Sequence, residues 1–365
     1  MRKLGAALFL TTCLLAAIGV FILYESSSYT AFLNIGDKYY FVKNQSMWFV
    51  IGLVMCLVVS RIPYRLYTRF ALPMLIGTFG LLIAVFLPGI GLSLKGAHRW
   101  IDLGFIVMQP SELLKITFTI YLAAWFSVKE KGRLLAFLML LGLCLFLVVI
   151  EPDLGTTTVI AATAVLVYFF QGAKVSEMLV IFALFVVALV GLIGVAPYRA
   201  ARFAEFANFD HSDLSTTSYH VKQVLIAVGS GGLTGVGFGN SVQKYAYVPE
   251  NTTDSIFAIF AEEAGFVGSF FLISLFFIQL LLGYAIAANS PDAFGRILAF
   301  GISTFIGIQA VINLATQVVL FPFTGIPLPF ISYGGSSLII NFVSIGILLS
   351  VAWYSTNSKT HERKR

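Results

Sequence analysis

The sequence predicts an all-α, polytopic membrane protein with about ten transmembrane helices. Three observations carry that reading. First, 59% of the 365 residues are hydrophobic and only 11% are charged, against about a quarter charged in soluble domains; the mean hydropathy is +0.92. Second, apolar runs of bilayer length recur along the whole chain. Third, the basic residues gather at alternate ends of those runs, as the positive-inside rule requires. The chain reads as a single integral membrane domain, 1–365.

The runs fall at roughly 5–24, 45–60, 70–90, 110–127, 134–150, 155–171, 178–197, 264–286, 297–320 and 337–354. The first follows Met-Arg-Lys as a signal peptide would, but it continues through Tyr24 without a small-residue cleavage site and is kept as a helix. With ten spans both termini share a side. That side holds Arg2, Lys3, Arg61, Arg65, Arg69, Lys129, Lys131, Arg133, Lys174, Arg296, Lys359, Arg363, Lys364 and Arg365. The opposite short loops hold Lys38, Lys43, Lys95 and Arg99. Both termini are therefore expected in the cytoplasm. The net charge of +6 is a topology signal, and nucleic acid need not be invoked. Cys13, Cys56 and Cys144 lie in apolar runs without metal spacing, which argues against disulfides and zinc.

The outward segments are then 25–44, 91–109, the Glu151-Pro-Asp153 turn, a large loop over 198–253 between helices 7 and 8, and 321–336. In the large loop, RAARFAEFANF (199–209) suits a helix lying in the interface, and YHVKQVLIAV (219–228) a second short helix. GSGGLTGVGFGN (229–240) lacks the strand-glycine-helix context of a nucleotide site, so no nucleotide is expected and a tightly turned or flexible loop is the better reading. FPFTGIPLPFISYGGSS (321–337) holds three prolines and cannot be a regular helix. It reads as a broken, re-entrant segment before helix 10, tolerated where it is buried in protein or lines a wet cavity.

Charges at membrane depth usually have a partner or a task. Glu112 and Lys115 share a helical face, either as a structural ion pair or as a cation steadied for an anionic headgroup. Arg99 beside Trp100 is an interface anchor or a phosphate ligand. Glu151 and Asp153 form an outward acid pair, or Asp153 caps span six. Asp254 stands at the junction in KYAYVPENTTDSIFAIFAEE (244–263), which ends the long loop and leads into an apolar helix. Position alone favours Thr253 or Asp254 as that helix's N-cap.

Together, GAHRWIDLG…QPSELLK, EPDLGTT, GSGGLTGVGFGNSVQK…VPENTTDSIFAIFAEEAG and GIPLPFISYGGSSLI resemble, in order and over nearly the whole chain, the SEDS family (shape, elongation, division and sporulation). GDKYYFVKNQ (36–45) and SRIPYR (60–65) are more similar to its division branch than to its elongation branch. The resemblance implies a peptidoglycan glycosyltransferase that polymerises lipid-linked disaccharide at the extracytoplasmic face of a bacterial inner membrane. A class B penicillin-binding protein and other divisome or elongasome proteins would be its partners. It places the essential acid on Asp254. It places substrate contacts on Arg99, Trp100, Gln109, Ser111, Glu112, Lys115, Glu151 and Asp153, with Lys244, Glu250, Ser332, Tyr333 and Gly334 in the remaining motifs. Two departures stand out: Thr252-Thr253-Asp254-Ser255 replaces a common His-Thr-Asp-Phe, and His220 replaces a frequent glutamine.

The chemistry suits these residues. A diphosphate leaves without being protonated, so one carboxylate base is enough, unlike the paired acids of glycosidases. Asp254 is the expected base, and Arg99, Lys115 or a divalent cation (magnesium or manganese) would neutralise the leaving group. A cap role for Asp254 would work against this, since a helix N-terminus stabilises the carboxylate and weakens it as a base. The alternatives are a lipid flippase and a non-catalytic division scaffold. Motif acids clustered at the outer ends of spans favour the enzyme.

Overall fold

The computed structural model describes residues 1–362 apart from 95–96, 103, 105–106, 129, 131, 196–199, 201–203, 205, 208 and 210–217. The expected interface helix at 199–209 lies largely outside the described residues, as do Lys95, Lys129, Lys131 and the last three basic residues.

Eleven helices occur among the described residues. They are α1 (Arg2–Ile35), α2 (Tyr40–Arg61), α3 (Leu66–Ala84), α4 (Pro110–Phe126), α5 (Leu134–Ile150), α6 (Leu154–Phe170), α7 (Val175–Val195), α8 (Tyr219–Ser230), α9 (Ile256–Asn289), α10 (Ala293–Gln317) and α11 (Gly335–Glu362). Each apolar run read from the sequence falls on one of the ten helices other than α8. Six, namely α1, α2, α3, α9, α10 and the first part of α11, are long and apolar enough to cross a bilayer. Leu135, Met139 and Phe146 on α5, and Phe266, Phe270 and Phe277 on α9, point outward from the bundle. Such outward apolar rows are what lipid, not water, selects.

The all-α expectation needs one correction. Residues 91–108 form a small antiparallel sheet of β1 (Gly91–Leu94), β2 (Ala97–Asp102) and β3 (Val107–Met108) in the order β1-β2-β3. Leu92 faces Trp100, and Ile101 pairs with Met108. The stretch is too short and too polar to form a span, and pairing into a sheet satisfies its backbone groups.

The 34-residue α1 is about 50 Å long, well beyond the ~30 Å hydrocarbon layer. Its upper part receives the long loop through ring contacts of Phe21 with Phe238 and Tyr29 with Tyr245. The glycine-rich loop is tightly turned and fills a break in α9. At Gly265 the backbone leaves helical geometry (φ 64°, ψ −164°). There Val236 and Gly237 donate to the carbonyls of Glu262 and Glu263, while Phe266 and Val267 donate to those of Gly232 and Leu233. A Cβ at Gly265 would lie 2.2 Å from the Gly235 nitrogen, so only glycine admits this exchange.

Residues 318–334 contain no helix and are mostly buried from Ile326 to Ser332. The prolines Pro322, Pro327 and Pro329 remove the donors a helix would need. Side chains of α2 and α10 satisfy backbone groups left over: Gln45 accepts from Gly334 and donates to the Ser332 carbonyl, and Gln309 donates to the Pro327 carbonyl.

Candidate active site

Asp254 lies on a segment held at every carbonyl. Tyr333 N–H donates to the Thr252 carbonyl at 2.9 Å, and the Ser332 hydroxyl to that of Thr253 at 2.5 Å. The Asp254 carbonyl accepts from Asn313 Nδ2 at 2.8 Å and from Gln317 Nε2 at 2.9 Å. Those two amides stand four residues apart on one face of α10, which is why both reach a single oxygen. Ser332 and Tyr333, expected at the substrate, thus brace the acid through the backbone.

Neither Thr253 nor Asp254 caps α9. Ser255 occupies the N-cap position, and no side chain caps that terminus. The Ser255 hydroxyl instead meets His220 Nε2 at 2.8 Å. The Asp254 carboxylate faces the non-helical segment, where a Cβ on Gly325 would come within 3.6 Å of its Oδ2. The Asp254 carbonyl is thus held from α10 while its carboxylate lies off the helix terminus.

The Thr253 hydroxyl is 2.7 Å from Asp254 Oδ1 and 3.1 Å from Glu250 Oε2. It has a single proton, so it donates to one carboxylate at a time. Burial raises the Asp254 carboxyl above its ordinary value, and the Glu250 charge adds to this. The Thr253 hydroxyl, the residue's own amide and His220 pull it down. Glu250 itself takes a left-handed backbone (φ 54°), which lets its carbonyl accept from both Thr253 and Ser255 N–H. Such strain is found where structure over-determines a functional loop.

A second cluster surrounds the 151–153 turn. Asp153 is the N-cap of α6, accepting from Thr156 N–H at 3.0 Å, from the Thr156 hydroxyl at 2.8 Å and from Gln109 Nε2 at 2.9 Å. Gln109 also donates to the buried Ser111 hydroxyl at 3.0 Å. Arg99 donates from Nε to the Glu151 carbonyl at 2.8 Å and from Nη2 to the Pro152 carbonyl at 2.5 Å. Glu151 is fully buried, and burial, helped by the Asp153 charge, pushes its carboxyl up to about 9. Trp100 is half-buried on β2 opposite Leu92.

The two clusters share a wall. A Cβ on Gly155 would lie 2.4 Å from Ile326 Cγ1 and 3.0 Å from the Thr324 carbonyl. The start of α6 therefore packs directly on the segment that faces Asp254. The tip of the sheet joins the same face through the Ser336 hydroxyl, which donates to the Val107 carbonyl.

Two expected contacts are enclosed. Lys115 Nζ sits 2.8 Å from Glu112 Oε2 and donates to Gln309 Oε1 at 2.6 Å, with both charged side chains 4% exposed or less. Lys244 is buried against Glu263 at 3.0 Å and Glu25 at 3.5 Å. Its loop is held by Glu262, which accepts from the Ser241 hydroxyl and from Val242 and Gln243 N–H. Gly334 spends its N–H on Gln45. Two residues at the site escaped sequence reasoning about it, Asn313 and Gln317, while His220 was read only as a departure from the family motif. Amides at 309, 313 and 317 in an apolar run were the available signal.

The arrangement defines a class: a helical membrane bundle carrying a buried, clamped carboxylate at one polar end. The FtsW/RodA/SpoVE family model, described as a cell cycle protein, matches residues 6–357. Stage V sporulation protein E of Bacillus subtilis (strain 168) is 36% identical over 95% of this chain and 96% of its own length. A probable peptidoglycan glycosyltransferase FtsW of Pseudomonas fluorescens (strain SBW25) is 38% identical over 96% of this chain and 88% of its own length. Among solved structures, a chain of a peptidoglycan synthase complex superposes with a TM-score of 0.76 at 25% identity, covering 95% of this chain and 97% of that one. The rod shape determining protein RodA of Thermus thermophilus gives 0.68 at 26% identity, covering 94% and 95%. The chain belongs to the FtsW/RodA/SpoVE family.

Proposed function

We propose that this chain is a peptidoglycan glycosyltransferase that polymerises lipid-linked disaccharide (lipid II) with Asp254 as general base. The acceptor hydroxyl loses its proton to the Asp254 carboxylate as its oxygen bonds to the anomeric carbon of the donor. The bond from that carbon to the diphosphate oxygen breaks, and the lipid diphosphate leaves as an anion. Such a base contributes about 10²–10⁴-fold. The observation that carries this reading is the Asp254 segment: three consecutive carbonyls clamped and the carboxylate kept out of the helix cap. Burial supports it, since a base works best when its pKa is drawn toward the working pH.

Arg99 is the better placed of the two cations for the leaving group. It is half-exposed at an outward turn, whereas Lys115 is enclosed by Glu112 and Gln309. Among the described residues no three metal-ligating side chains come together, so a divalent magnesium or manganese ion would have to be held chiefly by the oxygens of the substrate diphosphate. When bound it would supply positive charge to the diphosphate.

In the same reading about ten helices span the membrane, both termini are cytoplasmic and the polar end faces outward. The excess of basic residues at 61–69 and in the terminal segments supports that orientation. A class B penicillin-binding protein would crosslink the product. The relative that superposes at 0.76 comes from a complex described as coordinating polymerization and crosslinking. The test is polymerisation of labelled lipid II by the purified protein, alone and with its class B partner. Glycan strands from wild type and none from a folded Asp254→Ala variant are expected. No strands from either, with partner and divalent cation present, would shift the reading to flippase or scaffold.

A further inference from the structure

Residues Gln309, Asn313 and Gln317 stand four apart on one face of α10, all within 1% of complete burial. Three uncharged amides on one face of an apolar helix are costly unless each is used. Gln309 joins Lys115 to the Pro327 carbonyl. Asn313 joins the carbonyls of Asp254 and Ile326, both at 2.8 Å. Gln317 ends the row on the Asp254 carbonyl. The lower amides hold the non-helical segment and the upper two hold the acid.

We infer that Asn313 and Gln317 are positioning residues whose two hydrogen bonds to the Asp254 carbonyl keep the Asp254 carboxylate out of the α9 N-cap. This rests on the reading of Asp254 as a base. Asp254 stands one residue before the cap position, and the first turn of α9 has no side-chain acceptor. Aspartate is among the residues most favoured at such a terminus, and there it would be stabilised as an anion. Fixing its carbonyl from α10 turns the side chain toward Gly325 instead. The charged or titratable groups acting on it are Glu250 from its own loop and His220 from α8; α10 presents only neutral amides.

The test is the pH profile of lipid II polymerisation by the full-length protein carrying Asn313→Leu and Gln317→Met together, which keep side-chain bulk without the donors. The expected result is a fall in kcat of about tenfold or more, with KM nearly unchanged and the acidic limb moved to lower pH, as for a carboxylate gaining helix N-terminal amides. Should the double variant fail to fold, Gln317→Met alone leaves one clamp in place and moves the limb the same way by less. Wild-type kcat and an unmoved limb in a folded variant would overturn the inference. So would a fall in kcat with the limb unmoved, because simple damage lowers the active fraction equally at every pH. Asp254→Asn, run in parallel, reports on the base reading separately. An inactive Asp254→Asn with unaffected clamp variants defeats the inference alone; an active Asp254→Asn defeats both.

Discussion

Arg99 reaches Glu151 through the main-chain carbonyl, with Nε donating at 2.8 Å, and not through the carboxylate. The carboxyl group next to it is completely buried and makes no hydrogen bond with the described residues. A guanidinium that braces a turn by its carbonyls leaves the acid to be governed by burial, which is why Glu151 is held near 9 and is neutral at physiological pH.

A stability prediction follows from that shift. Between the ordinary carboxylate value and about 9 the folded protein binds a proton that the unfolded chain has released. Stability should therefore fall as pH rises through this window. Glu151→Gln, neutral and nearly the same shape, removes the slope. Melting curves should show Glu151→Gln above wild type at about pH 8 and the gap closing toward about pH 5. A gap independent of pH would contradict the neutral assignment.

For Asp254 the same sign appears in activity. Its carboxyl is raised mainly by burial, so the acidic limb of polymerisation should lie above the range of an exposed aspartate, with rate lost as pH falls through it. Asp254→Asn should lose about 10²–10⁴-fold in kcat. It should melt no lower than wild type near neutral pH, because the clamps act on the carbonyl it retains and a charge that burial penalises has been removed. A large drop in melting temperature would mean that the carboxylate is structural.

The Glu112–Lys115 pair offers a contrast. Lys115→Met strands a buried carboxylate and should cost about 3–5 kcal/mol, whereas Glu112→Gln with Lys115→Met should recover much of it. Urea or thermal denaturation in detergent would measure both. A double variant as unstable as the single one would show that the pair does more than neutralise itself.

Gly19 tests how closely α1 approaches the non-helical segment. A Cβ there would stand 2.3 Å from the Phe330 carbonyl oxygen and 2.8 Å from Ile331 Cα, both backbone atoms that cannot swing aside. Gly19→Ala should cost about 1–3 kcal/mol and lower polymerisation through the adjoining Ser332 clamp on Thr253. Unchanged melting and activity would mean that the segment shifts freely.

Much of the architecture was legible in the sequence because a bilayer imposes simple rules. Apolar runs of fixed length mark α1 to α7 and α9 to α11, and prolines at 322, 327 and 329 mark the segment that is not helical. The motif residues around Asp254 and the 151–153 turn are also visible there, and a cap is one of the two roles that the position of Asp153 before an apolar run allows. The small sheet at 91–108 was missed because its short strands carry little periodicity of their own.

What the sequence by itself determined is which runs are apolar enough for a membrane, which polar segments lie between them, and that an aspartate stands at position 254. Only the tertiary structure decided what that aspartate does with its neighbours. Local preference makes Asp153 and Asp254 equal candidates for an N-cap, and one takes the role while the other does not. The difference comes from Asn313 and Gln317, fifty-nine and sixty-three residues away along the chain. Hydrogen bonds of that separation exist only once α10 has packed beside the loop, so no local pattern around Asp254 encodes them.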